Sequence, residues 1–299
     1  MRLWKLATSG LLATSALVSG VSSPAIAQPA PTAVLASAQS RAPEVFGRAV
    51  YLMDASNGAS LLDENAATRM PIASLTKVMT AYIVLSEAKP ADTVQIVQQD
   101  ADYAEEGGGT TADLRPGDKI PVGELLYGLM LPSGADAAHA LARRYGPGVD
   151  GFVRKMNATA HRLGLRDTLY VNADGLPTPD GDGYSTARDQ ARLAAAALRD
   201  GRFRAITATP SHSLAESAEH GSYTWTNTNK IAGEPGVLGV KTGFTNDAGF
   251  CLTFAADRAG RRLVGVILGE DVSSRRFVTA ESLLDWGGDH AGDTARDQV

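Results

Sequence analysis

The sequence predicts an α+β fold in which strands from both ends of the chain form one antiparallel sheet and the helices between them build a second lobe. Two observations carry this. Strand patterns fall early, between Phe46 and Leu62, and again late, between Tyr223 and Gly269, each with a hairpin signal. Runs with helical spacing fill the middle, at Ala73 to Ala88, Val122 to Met130, Ala135 to Tyr145, Phe152 to Leu163 and Thr186 to Leu198. A functional cleft is expected between the sheet and the helical lobe.

The chain opens with Arg2 and Lys5, an apolar run from Leu11 to Val21, and the small-x-small triplet Ala25-Ile26-Ala27. This is the pattern of a secretory signal peptide over residues 1–27, with cleavage after Ala27. The run is too short and too rich in Ser, Thr and Ala for a membrane anchor, and no cysteine follows it to carry a lipid. Export to the periplasm or the medium is therefore expected, as a soluble protein after cleavage. Residues 28–43 are rich in Ala, Pro, Ser and Gln and read as a flexible linker.

The main domain is expected over residues 44–287. Phe46 to Met53 reads as a strand, Asp54-Ala55-Ser56-Asn57-Gly58 supplies turn chemistry, and Ala59 to Leu62 returns. The polar stretch from Thr93 to Thr111 ends in Gly107-Gly108-Gly109, read as a turn, because it lacks the lysine and helix start of a phosphate loop. Arg115-Pro116-Gly117-Asp118 is another turn. Leu131-Pro132-Ser133-Gly134 breaks two helices and holds Ser133 on a short loop, where alone it would be a helix cap. Ser185-Thr186-Ala187-Arg188-Asp189 is a capped helix start. The late strands are expected at Tyr223–Thr226, Val237–Thr242, Gly249–Ala256 and Arg262–Gly269, all in the terminal sheet, with the first hairpin beside the last. A final helix from Ser274 to Trp286 precedes a polar tail, residues 288–299, that shows no apolar face. Neither a further β-rich domain nor a terminal amphipathic anchor is expected.

Composition narrows the function classes. Of 299 residues 44% are hydrophobic and 20% charged, which is ordinary for a globular protein. The net charge of −5, without a basic tract, argues against nucleic acid as a partner. One cysteine, Cys251, leaves no internal disulfide and no cysteine-built metal site; inside a strand it reads as a small buried hydrophobe. His139, His161, His212, His220 and His290 show neither metal spacing nor a nucleophile-elbow context, so surface or hydrogen-bonded histidines are expected.

The chemistry points to Pro71-Ile72-Ala73-Ser74-Leu75-Thr76-Lys77. If the helix begins near Ala73, Ser74 sits on its first turn, over the positive helix end, and Lys77 lies one turn later on the same face. Serine becomes a nucleophile when a neighbour takes its proton, and a lysine of lowered pKa does this. Alone, Ser-x-x-Lys is commonly a helix start with a solvated lysine. Two further elements change the weight: Ser133-Gly134-Ala135 and Lys241-Thr242-Gly243, in that order.

This order resembles the serine penicillin-recognising enzymes, marked by S-x-x-K, S-x-N and K-T-G. The flanks are similar to one branch, the D-alanyl-D-alanine carboxypeptidases among the low-molecular-mass penicillin-binding proteins. They include Leu125-Leu126-Tyr127-Gly128-Leu129-Met130, Tyr184-Ser185-Thr186-Ala187-Arg188-Asp189 and Gly239 to Thr245 running on to Ala248-Gly249-Phe250-Cys251. The resemblance covers Val45 to Trp286. It implies a β-lactamase/transpeptidase-like fold, an antiparallel sheet flanked by helices plus a helical lobe, with the site in the cleft between.

The same resemblance implies the roles. Ser74 would attack the penultimate D-alanine of a peptidoglycan stem peptide, and Lys77 would be the base, its pKa lowered by burial and by Lys241. Ser133 would pass the proton to the leaving D-alanine, and Lys241 and Thr242 would bind its carboxylate. Gly243 would let the substrate backbone approach, and the N–H groups of Ser74 and Phe244 would form the oxyanion hole. β-Lactams would acylate the same serine; no metal or cofactor is implied, and a monomer is expected. Asn172, Asp174 and Arg188 are assigned structural support, and Asn227-Thr228-Asn229 the edge of the cleft.

Ala135 departs from the family pattern, which places asparagine there, and an altered turnover follows from the missing amide. Three alternatives stay open: a D,D-endopeptidase, which uses the same machinery; a β-lactamase, for which a water-activating carboxylate is missing between Ser133 and Lys241; and a catalytically impaired wall-binding protein, which Ala135 alone favours.

Overall fold

The structure is a computed structural model that describes residues 41–89, 91–179 and 181–290. The signal peptide, its cleavage site, nearly all of the linker and the last nine residues of the tail lie outside the described residues. From Arg41 onward the chain forms one compact unit.

The elements follow the chain as β1 (Ala49–Asp54), β2 (Ala59–Glu64), a 3-10 turn (Ala73–Thr76), α1 (Lys77–Glu87), β3 (Thr93–Gln95) and α2 (Gln98–Glu106). The helical lobe continues with β4 (Lys119–Pro121), α3 (Val122–Met130), α4 (Ala135–Tyr145), α5 (Gly148–Arg162), α6 (Ala187–Ala197) and α7 (Gly201–Ala208). Last come β5 (Ser211–Leu214), β6 (Tyr223–Thr226), β7 (Val237–Thr245), β8 (Gly249–Arg258), β9 (Arg261–Glu270) and α8 (Arg275–His290).

The main sheet is antiparallel with the order β2-β1-β9-β8-β7, so the first hairpin does lie beside the last. Every residue of β1 is buried because the sheet is covered on both faces. Strand alternation sends Ala49, Tyr51 and Met53 into a core shared with the helical lobe, and Val50 and Leu52 into a second core. On β9 the same alternation parts Val264, Val266 and Leu268 from Leu263 and Ile267. Phe277, Ala280, Leu283 and Leu284 of α8 close the second core. Cys251 lies fully buried on the helical-lobe face, and burial pushes its thiol up to about 11, the state of a small hydrophobe.

Four expectations need correction. Tyr223–Thr226 does not join the main sheet; β6 pairs with β5, and the Trp225 indole turns into the helical lobe, donating to the Ala112 carbonyl (2.9 Å). The polar stretch from Thr93 to Thr111, in which only the glycine turn was read, contains helix α2, and α7 likewise went unassigned. The first helix does not begin at Ala73. There φ is +47°, which a continuous α-helix does not allow, so a 3-10 turn intervenes and α1 starts at Lys77. Finally, α8 runs on past Trp286 to His290, into what was read as tail.

α6 starts as its sequence says, with the Thr186 hydroxyl accepting the Asp189 N–H (3.0 Å). Among the described residues no helix is long and apolar enough to cross a membrane.

Candidate active site

β7 is an edge strand, and the 3-10 turn that carries Ser74 packs against it at Gly243. A Cβ added to Gly243 would stand 3.0 Å from the Ile72 carbonyl oxygen and 3.2 Å from the Ser74 nitrogen. A side chain at this position would press the serine turn away by a few tenths of an ångström. Gly175 holds the turn from the other side. Its φ is +85°, and a Cβ there would lie 1.9 Å from the Ala73 carbonyl oxygen. Asn172 braces this second loop, accepting the Gly175 N–H (2.7 Å) and donating to the Leu176 carbonyl (2.7 Å).

Between these supports, the Lys77 ammonium lies 3.0 Å from the Ser74 hydroxyl and 3.0 Å from the Asp174 carbonyl oxygen. Its residue is only 1% exposed. Burial lowers the Lys77 pKa to about 8, while the charges of Asp174 and Asp136 pull it back up. Lys77 and Lys241 stand close enough to repel each other. Burial first, then Lys77 and Arg276, push Lys241 well below the ordinary lysine range.

The second motif sits on a strained turn. Ser133 has φ +73°, its carbonyl accepts the Thr110 hydroxyl (2.8 Å), and its own hydroxyl is buried with no hydrogen-bond partner. The next two positions are packed tightly. A Cβ on Gly134 would meet the Gly128 carbonyl oxygen at 2.8 Å, and the Ala135 N–H donates to Thr110 (2.8 Å). Ala135 is fully buried beneath Gly109, whose Cβ would stand 3.0 Å from its methyl group.

These pieces surround a cleft of about 290 Å³, lined by Ser74, Lys77, Ser133, Thr242, Gly243, Phe244, Leu176 and Arg276, with Gly108, Gly109 and Thr110 as its rim and Thr228 opposite. The three motifs meet, as the sequence order implied. Lys241 is the exception in placement. Fully buried, it donates to the Thr242 carbonyl (3.1 Å) and stands behind the lining instead of in it. The Thr242 hydroxyl bonds that of Thr228 (2.6 Å), which places the 227–229 segment at the cleft edge as expected. Phe244 is half exposed, its ring stacked on Phe250 at 4.4 Å.

Sequence reasoning missed Arg276. Its guanidinium donates to the carbonyls of Gly243 and Cys251 (3.0 Å each), and burial lowers its pKa. A buried cation held behind the third motif suits a carboxylate, and no local pattern in Ser273-Ser274-Arg275-Arg276 signals it. Asp136 was also missed as an anchor. Its carboxylate accepts the N–H groups of Ala112, Leu114 and Ala137 and so pins the start of α4 under the cleft. Of the histidines, His139 is buried against Asp100 (2.7 Å) and His212 meets Glu124 (2.6 Å), so both are satisfied polar groups away from Ser74. Arg188 braces β2 through Asp63 (2.6 Å), the supporting role expected of it. A larger cleft of about 330 Å³ beside Leu85, Leu126 and Ile206 holds none of the three motifs.

Known proteins are similar to this chain over most of its described length. Residues 36–272 match the S11 peptidase family, described as D-alanyl-D-alanine carboxypeptidase. The chain is 37% identical over 250 residues to the D-alanyl-D-alanine carboxypeptidase of Streptomyces sp. (strain K15), covering 79% of this chain and 85% of that one. It is 35% identical over 276 residues to the D-alanyl-D-alanine carboxypeptidase DacC of Escherichia coli (strain K12), covering 86% of this chain and 65% of that longer one. The crystal structure of the Streptomyces K15 DD-transpeptidase superposes with a TM-score of 0.77 at 35% identity, over 83% of this chain and 98% of that one.

Proposed function

The chain belongs to the D-alanyl-D-alanine carboxypeptidase family of serine peptidases, and from that premise we propose how its residues divide the work. The reaction is removal of the terminal D-alanine from peptidoglycan stem peptides through an acyl-enzyme on Ser74. The observation that carries this is the buried Lys77 nitrogen 3.0 Å from the Ser74 hydroxyl, at a pKa of about 8. An amine in that range gives a useful neutral fraction near neutral pH.

In the neutral form, the Lys77 lone pair accepts the Ser74 proton while an N–H still donates to the Asp174 carbonyl. The serine oxygen then bonds to the carbonyl carbon of the penultimate D-alanine. Negative charge builds on the carbonyl oxygen, and the N–H groups of Ser74 and Phe244, on the docked turn and the edge strand, are assigned to hold it. Collapse breaks the peptide bond. The leaving amine takes its proton through Ser133, which lines the same cleft as Ser74 and Lys77 and whose hydroxyl has no other partner. Thr242, with Thr228 and Arg276, holds the terminal carboxylate, and Lys241 adds positive potential from behind. Water then hydrolyses the ester, restoring Ser74 and leaving a peptide one residue shorter. A β-lactam ring carbonyl, opened by the same attack, leaves the serine acylated.

The test is mass spectrometry of the mature protein after incubation with penicillin, run beside a digest of diacetyl-Lys-D-Ala-D-Ala. An adduct on the Ser74 peptide together with released D-alanine supports the reading. The absence of any adduct would sink it and favour a wall-binding protein. Cleavage of a cross-linked stem dimer in place of the tripeptide would identify an endopeptidase, and sustained rapid hydrolysis of nitrocefin a β-lactamase. Export with cleavage after Ala27 belongs to the same reading, supported by the charged, apolar and small-residue order of residues 1–27. N-terminal sequencing of the protein recovered outside the cytoplasm checks it; a first residue other than Gln28 would refute that cleavage site.

A further inference from the structure

We propose that Asp174 is a positioning residue that sets the proton affinity of Lys77, and with it the pH range in which Ser74 is acylated. The inference rests on the reading above, in which Lys77 is the base.

Asp174 sits in the loop that closes over the serine turn, and it is fully buried. Its backbone carbonyl takes the Lys77 ammonium at 3.0 Å. One carboxylate oxygen accepts the Leu176 N–H (3.0 Å), and the other is buried with the Tyr103 hydroxyl as its one polar neighbour. A half-satisfied buried carboxylate is costly unless a charge nearby compensates it. The nearby cation is the one its own carbonyl holds. Asp174 does not line the cleft, so it has no access to substrate and acts only through Lys77.

The other groups facing Lys77 do not replace it. Asp136, from α4, spends its carboxylate on three backbone N–H groups. From β7, Lys241 is itself pushed toward its neutral form by burial, Lys77 and Arg276 and offers no negative charge. Ser74 and Ser133 are neutral. On the far side of Asp174 lies Tyr103 of α2, whose ring stacks on His139 at 4.7 Å. Its hydroxyl is pushed above the ordinary tyrosine range by burial, then by the charge of Asp174 and by a hydrogen bond to that carboxylate. The loop geometry explains why the carboxylate cannot swing away. Asn172 accepts the N–H of Gly175, and Gly175 is pressed against Ala73. The loop therefore fixes a negative charge behind the base, which favours the protonated amine and opposes the effect of burial.

The experiment is the pH profile of second-order acylation by a fluorescent penicillin, measured on the mature chain and on Asp174→Asn, Asp174→Glu and Tyr103→Phe. Asp174→Asn keeps an acceptor for Leu176 but removes the charge. Its acid limb is expected about one pH unit lower than that of the wild type, with the alkaline plateau retained. Asp174→Glu, which keeps the charge, is expected to restore the wild-type limb. If Asp174→Asn does not fold, as judged by circular dichroism, Tyr103→Phe decides. With one polar neighbour fewer, the carboxylate acts more strongly on Lys77, and the limb moves upward. An acid limb that stays in place in every folded variant overturns the proposal, as does a shift in Asp174→Glu equal to that in Asp174→Asn. A wild-type protein that is not acylated, or shows no acid limb, would instead refute Lys77 as the base.

Discussion

Lys77 combines two demands that pull against each other: burial that strips its charge, and carboxylates that restore it. The balance at about 8 predicts a pH dependence with a definite sign. Below that value the amine is protonated and cannot take the Ser74 proton, so kcat/KM for D-alanine release should fall about tenfold per pH unit. Above it the rate should level off. A profile that is flat from about pH 6 to 9 would remove Lys77 from the role. Arg276 carries the second prediction at this scale. Arg276→Gln removes a charge-assisted partner for the substrate carboxylate, a loss of roughly 1.5–3 kcal/mol, or about ten- to a hundredfold in kcat/KM. Steady-state kinetics on a D-Ala-D-Ala peptide, compared with its C-terminal amide, checks this, because only the acid should suffer. Legibility differs between these two residues for a physical reason. Lys77 stands three positions from Ser74, within reach of local spacing, whereas Arg276 reaches the site only because α8 packs on β8 and β9 and its side chain extends to Gly243.

At the scale of elements, the helices legible in the sequence are those whose apolar face repeats. α3 and α4 are bounded as their spacing predicts, and α6 begins at its cap. The cap gives a clean prediction. Thr186→Ala should cost about 1 kcal/mol in urea unfolding while acylation by penicillin stays unchanged. A larger loss, or slower acylation, would mean that Thr186 supports more than the helix start. α2 was illegible because only Asp100 and Ala104 of its residues are buried, so no apolar stripe exists to read. It is held instead by a buried ion network. The serine turn was misread as the first turn of a helix because spacing cannot report the positive φ at Ala73. That conformation follows from its neighbours, Gly175 on one side and Gly243 on the other. Gly175→Ala, with a Cβ 1.9 Å from the Ala73 carbonyl, should therefore reduce acylation far more than a surface Gly→Ala change such as Gly117→Ala. Equal effects from the two would show that the turn does not depend on the loop.

Across the whole molecule, the sheet is legible because β1, β8 and β9 are apolar on both faces and its hairpins are joined by short turns. The packing of the polar middle segment is not, since it depends on charges far apart in sequence. Asp100 of α2 shows how that lobe is tied together. Its carboxylate accepts the Val97 N–H (3.0 Å), meets His139 of α4 (2.7 Å) and pairs with Arg143 (2.7 Å), which also donates to the Gln95 carbonyl of β3 (2.7 Å). Burial would raise its pKa, but the hydrogen bonds from His139, Arg143 and Val97 outweigh that and hold it below the ordinary carboxylate value. The folded state therefore releases this proton more readily than the unfolded chain does. The stabilisation is whole above the unfolded carboxylate range and is lost as pH falls through the lowered folded value. Asp100→Asn should cost about 2–4 kcal/mol at neutral pH, since it leaves Arg143 and His139 short of a buried partner. The gap between wild type and variant should then narrow as pH drops from about 5 toward 2, where both lack the charge. Urea unfolding at a series of pH values reads both quantities. A gap that stays constant with pH would mean that Asp100 holds the lobe by shape and neutral hydrogen bonds, and that its charge contributes nothing to joining α2, α4 and β3.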